Sequence, residues 1–211
     1  MFEEKLIRHC SPTLAGMKTG NMFSCEYTEE KSLLKKIREM NRTLGKKGLR
    51  FIPLRYENGR ALIYVFRPCK LSCDLKDSTA CKLLRERGYC CNSCQKSVKH
   101  LISRINESDD FPHEVGLYLG YPPEDVNGFI ENSRAFKCVG CWKVYGDEEK
   151  AQKLFRKYKK CSEVYTKQLK KGRSLEKLAV ASKNDNNLNF IHPKFKATQR
   201  YAVPPLTFWF Y

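Results

Sequence analysis

One dipeptide, Asn58-Gly59, constrains this chain more than any other feature. It stands between two runs, 49–56 and 60–67, that are rich in the branched and aromatic residues of strands. Asn-Gly readily takes the two successive left-handed conformations of a tight two-residue turn. The pattern therefore predicts an antiparallel β-hairpin over 49–67, and with it a sheet against which the remaining segments must pack.

Around the hairpin the apolar spacing turns helical. Residues 28–44 place Leu33, Leu34, Ile37, Met40 and Leu44 on one stripe, with Thr28 as the expected N-cap and Gly45 as the stop. Leu71 and Leu75 suggest a short helix, and Ala80, Leu83 and Leu84 a second that ends at Gly88. Cys91, Cys94, Val98, Leu101 and Ile105 repeat at helical spacing, so a third helix is expected to carry both cysteines on its apolar face. Pro112 and the Pro122-Pro123 pair open two more, since proline suits the first helical position. Residues 136–145 read as a strand, Asp147-Glu148-Glu149 opens the longest helix, and a stub follows at 175–178. The expected fold is a single α+β domain over 1–181, its helices packed on a small, mostly antiparallel sheet that includes the hairpin and the 136–145 strand. Residues 182–211 read as an irregular basic and aromatic C-terminal tail.

Hydrophobic residues at 41%, with 12% aromatic, suffice for a core and exclude a collagen-like or wholly disordered chain. The longest central apolar run, 61–66, is far short of the roughly 18 residues of a spanning helix, and Glu3 and Glu4 stand where a signal peptide would be basic. The expected setting is the cytoplasm, without a membrane. Eleven cysteines, an odd number, then read as reduced thiols.

The formal charge is +17, unevenly spread. Residues 1–100 hold 21 basic and 10 acidic side chains, 101–150 hold 5 and 10, and 151–211 hold 14 and 3. Two positive lobes would attract an anionic partner. Lys31, Lys35, Lys36, Arg38, Arg42, Lys46 and Lys47 on or just after the early helix, with Lys153, Arg156, Lys157, Lys159, Lys160, Lys167, Lys170 and Lys171 on the late one, support at most non-specific attraction to a nucleic-acid backbone, because no base-reading motif accompanies them.

Four stretches carry a resemblance. They are His9-Cys10-Ser11-Pro12-Thr13-Leu14-Ala15-Gly16-Met17-Lys18, Phe111-Pro112-His113-Glu114-Val115-Gly116-Leu117-Tyr118-Leu119-Gly120-Tyr121-Pro122, Glu124-Asp125-Val126-Asn127-Gly128-Phe129-Ile130-Glu131-Asn132 and Trp142-Lys143-Val144-Tyr145-Gly146. Together they resemble, over about residues 5–180, a bacterial family found largely in anaerobes and catalogued as domain of unknown function 3793. The resemblance implies a single cytosolic α+β domain and carries over no activity.

Three groups of residues could carry chemistry. Cys91, Cys94, Cys138 and Cys141 form two C-x-x-C units, the ligand set of a zinc or iron–sulfur site, or a redox pair at 91–94. Against this, 43 residues separate the units, Cys94 lies on an apolar stripe, and in an extended strand Cys138 and Cys141 face opposite ways unless Gly140 turns the chain. Residues 9–19 read as a loop whose amides and Lys18 could hold an anion, although Met17 and Pro12 stand where a P-loop needs glycine. His113 and Glu114 at a helix start supply an imidazole and a carboxylate. The favoured expectation is a ligand-binding protein or enzyme whose pocket joins the 9–19 loop to His113 and Glu114. In it Lys18 holds a small anionic ligand, His113 transfers a proton, Glu114 orients the imidazole and Cys10 is the nucleophile.

Overall fold

The run from Ala61 to Phe66 is apolar on both faces, so its strand can only lie in the middle of a covered sheet. In the computed structural model, which describes residues 2–107, 110–132 and 134–182, every residue of that run is buried. This strand, β3 (Arg60–Phe66), pairs antiparallel with β2 (Arg50–Glu57) across the expected turn, where Asn58 and Gly59 take φ of 47° and 71°. On its other side it pairs antiparallel with β1 (Gly20–Glu26), giving the order β1-β3-β2. Pro53 is accommodated because β2 is an edge strand. Next to it the register slips by one, leaving Leu54 as the extra residue of a bulge.

Side-chain alternation divides the sheet between two cores. Phe23, Phe51, Ile63 and Val65 meet α1 (Phe2–Leu14), α2 (Glu30–Leu44) and α9 (Leu175–Leu178). Met22, Ile52, Tyr64 and Phe66 face the layer made by α3 (Pro68–Asp74), α4 (Ser78–Arg85), α5 (Cys94–Glu107), α6 (Val115–Tyr118) and α7 (Pro123–Ile130). The long α8 (Glu148–Lys170) lies along α1 and serves both cores. Ala151 and Tyr158 enter the second, while Tyr165 and Leu169 pack on the first. Asp77 starts α4 by accepting the N–H groups of Thr79 and Ala80 at 2.9 and 3.0 Å, and Asp147 starts α8 by accepting that of Lys150 at 3.0 Å.

The guanidinium of Arg67, at the end of β3, is 1% exposed and donates to four carbonyls. Those of Thr13 and Leu14 close α1 (both 2.8 Å), that of Lys47 lies in a 3-10 turn (3.1 Å), and that of Val180 follows α9 (2.7 Å). A buried cation that satisfies so many carbonyls ties three chain segments to the sheet.

The α+β class with a hairpin-containing antiparallel sheet stands as expected, with four local corrections. Residues 9–14 are the end of α1, not part of a loop. Pro12 disguises this, because in the last turn it removes only one helical hydrogen bond. Strand β1 was not anticipated. Residues 136–145 do not join the main sheet: β4 (Cys138–Val139) and β5 (Lys143–Val144) form a separate hairpin, because Gly140, Cys141 and Trp142 turn the chain between them. Three helices begin later than read: α2 starts at Glu30 with Glu29, not Thr28, at its N-cap, α5 starts at Cys94, leaving Cys91 before it, and α6 starts at Val115, so Pro112 and His113 precede it and Glu114 is its N-cap. The expected tail at 182–211 lies, except for Ser182, outside the described residues, and no described helix is long and apolar enough to cross a membrane.

Candidate functional site

The β4–β5 hairpin has two rungs, so side chains rather than its ladder hold it in place. Asp125 of α7, 3% exposed, does most of this. One carboxylate oxygen accepts the Trp142 indole N–H at 2.7 Å, and the other accepts the backbone N–H groups of Tyr145 and Gly146, each at 2.7 Å. Trp142 stacks on Tyr121 (centroids 4.7 Å apart) and meets the Phe155 edge of α8 at 4.6 Å. Gly140 lies flat against that Phe155 ring; a methyl group there would come within 2.2 Å of it.

Helices α6 and α7 approach equally closely. A Cβ on Gly116 would sit 2.8 Å from Val126 and 3.1 Å from Tyr121, and Gly120, at φ 73°, makes the turn that brings Tyr121 round. Between these helices and the hairpin opens a cleft of about 110 Å³. Its walls are Tyr121, Phe129 and Trp142 with Val126, Gly140 and Cys141, and the exposed side chains of His113 and Lys143 also line it. The His113 ring stands edge-on to Phe129 at 5.0 Å, and the Lys143 ammonium lies over Phe129 and Phe136 at 5.5 and 5.3 Å.

Behind the Tyr121 wall lies Lys18, 5% exposed, its ammonium 4.9 Å from the centre of the Tyr121 ring. Among the described residues it makes no ion pair. Burial pulls its pKa down to about 8, partly opposed by the nearby thiols of Cys141 and Cys10. The Cys141 thiol is pushed up by burial and pulled back by Lys18, so the two groups share one electrostatic environment. Lys18 thus lies beside Tyr121 and Cys141, two residues of the cleft that His113 also lines, without itself lining it.

The other expected site residues are placed differently. Glu114 does not orient His113. It is 2% exposed and turned into the α4–α5 side, where it accepts the Tyr89 hydroxyl at 2.8 Å and faces Arg104 and Arg87 at 3.4 and 3.9 Å. Cys10 is 0% exposed within the α1 core, and burial pushes its thiol strongly up, so the nucleophile role gives way to packing. The four-thiolate zinc or iron–sulfur reading is corrected as well: Cys91 contacts the Cys81 carbonyl at 3.3 Å, Cys94 lies by Cys69, Cys138 by Glu148, and Cys141 by Lys18. Among the described residues no group of three or more His, Cys, Asp or Glu side chains is arranged to hold a metal, and all eleven cysteines are free thiols.

Sequence reasoning missed Tyr121, Phe129, Trp142 and Lys143 as one site. Their signal was the density of aromatic residues in the 111–146 stretches, which periodicity cannot assemble because it says nothing about how two short helices and a short hairpin dock. A family model described as Protein of unknown function (DUF3793) matches residues 6–179. No curated protein and no solved structure matches the chain.

Proposed function

Because the chain belongs to that family, whose description names no chemistry, we propose from the site itself that the protein binds a small anionic molecule with a flat apolar body in the α6–α7/β4–β5 cleft. One observation carries this reading: three aromatic side chains converge on a space of about 110 Å³ that the cationic or protonatable groups Lys143 and His113 also line, with the ammonium of Lys18 behind the wall. A volume of that order accepts a single ring, and aromatic walls favour a planar body over a flexible chain. Lys143 and His113 then meet the charged end, Lys18 adds positive potential from behind the wall, and the Asp125 carboxylate that also lines the cleft is taken up by the N–H groups of Trp142, Tyr145 and Gly146. His113 is the group placed to donate a hydrogen bond to the occupant or exchange a proton with it. Eleven free thiols suit a reducing cytoplasm, where we place this activity.

Titration calorimetry with benzoate and its uncharged amide, benzamide, tests the reading. The wild type is expected to bind benzoate at least about five-fold more tightly, a difference near 1 kcal/mol. A His113→Ala/Lys143→Ala double variant, altered only at exposed positions, should lose that preference while keeping its melting temperature. Equal affinity for acid and amide in the wild type, or an undiminished preference in the variant, refutes it.

A further inference from the structure

Helix α8 runs for 23 residues, and its inward face is fully engaged by both cores. Its outward face is chemically uniform. Lys153, Lys157, Lys160, Lys167 and Lys171 follow one another at spacings of four, three, seven and four, so they fall on one stripe, with Arg156 beside it. All six are exposed. At 1.5 Å per residue the stripe is about 27 Å long. Between 153 and 171 Glu163 is the one carboxylate among eight Lys and Arg. Lys153 is paired with Glu149 at 3.0 Å, whereas Arg156, Lys157, Lys160, Lys167 and Lys171 make no ion pair among the described residues.

An isolated lysine on a helix face needs no explanation, but a row of five uncompensated cations on a helix anchored along its whole length raises the local potential at one fixed line. The early helix differs: Lys31, Lys35, Arg38 and Arg42 are similarly spaced, but with Glu39 beside Arg38, and they make a shorter row. The segment 183–211 cannot neutralise the α8 stripe, because it carries four Lys or Arg and one Asp. The occupant must therefore come from outside and be a line of negative charge. A membrane surface would call for apolar or aromatic side chains to insert, and the stripe offers Val164 alone, 45% exposed. We infer that the outward face of α8 is a docking surface for the phosphate backbone of a nucleic acid, contacted without base readout.

The test is fluorescence anisotropy of the full chain with a labelled DNA duplex of about 20 base pairs, between about 50 and 200 mM salt. Binding should weaken with a log–log slope near −4 to −5, as expected for about five phosphate contacts. A Lys157→Gln/Lys160→Gln/Lys167→Gln variant should reduce the slope by about 2 to 3, and the matching Lys31→Gln/Lys35→Gln/Arg38→Gln variant should change it less. No binding at the lowest salt overturns the inference, as does an equal or larger effect of the α2 variant. So does stronger binding to phosphatidylserine-containing vesicles than to DNA at the same salt, which would assign the face to a membrane.

Discussion

The two hairpins of this protein are held by different forces. In β2–β3 the ladder is long, the turn residues suit the turn, and β3 is buried on both faces, so local preference and tertiary packing favour the same arrangement. In β4–β5 two rungs contribute little, and position comes from Asp125, the Tyr121–Trp142 stack and the Phe155 edge, all supplied by other segments. The first hairpin is scaffold and carries no candidate site. The second forms one wall of the cleft, so the site sits where the backbone is least self-sufficient.

The largest expected effect lies in the first hairpin. Phe66→Ala, removing a fully buried ring stacked on Tyr64 at 4.5 Å, should lower the free energy of unfolding by about 3–5 kcal/mol in a single cooperative denaturant transition. A loss below about 1 kcal/mol would break the contrast by showing that this hairpin is not the scaffold.

Each region has a buried cation beside it, but Arg67 at the end of β3 is satisfied by four carbonyls, whereas Lys18 behind the Tyr121 wall makes no ion pair among the described residues. An unfolded lysine keeps its proton to about pH 10.5, whereas folded Lys18 releases it near pH 8. Between those values the unfolded state binds more protons, so the Lys18 contribution to stability rises with pH; below about pH 8 both states hold the proton and it is constant at its lowest. The stability of the wild type relative to Lys18→Met should therefore climb by about 3 kcal/mol from pH 8 to 10.5, measured by urea unfolding of both proteins at each pH. A flat difference would mean that the amine is open to water.

The smallest effect sharpens the contrast most. Gly140→Ala forces the Phe155 ring to move and should reduce stability by about 1–3 kcal/mol. Tryptophan fluorescence and benzoate binding should change, while amide exchange in β1–β3 stays protected. Loss of protection in the three-stranded sheet would show that the two regions unfold as one.

The sequence made the scaffold legible where one local rule acted alone: Asn58-Gly59 for the turn, the Leu33–Ile37–Leu44 stripe for α2, the acidic start for α8. It misled where two rules competed. Residues 9–14, chosen for their chemistry and grouped with 15–19 as a loop, belong to α1, and Cys91 continued a helical spacing although the helix begins three residues later. The site was half legible. His113 lines the cleft and Lys18 lies behind its Tyr121 wall, whereas Glu114 turns towards Tyr89 and Cys10 is sealed in. No period in the sequence encodes which way a side chain leaves a turn.

The guanidinium of Arg67 has a last consequence for anyone shortening this chain. One of its amino groups reaches both Leu14 and Val180, so the first helix and the final described segment share a single knot. A truncation before Val180 would remove one strand of that knot and strip the Leu14 carbonyl of the Val180 N–H it accepts at 3.0 Å. An arginine more than a hundred residues upstream thus fastens residue 180 to the sheet, just past the point where the family match stops.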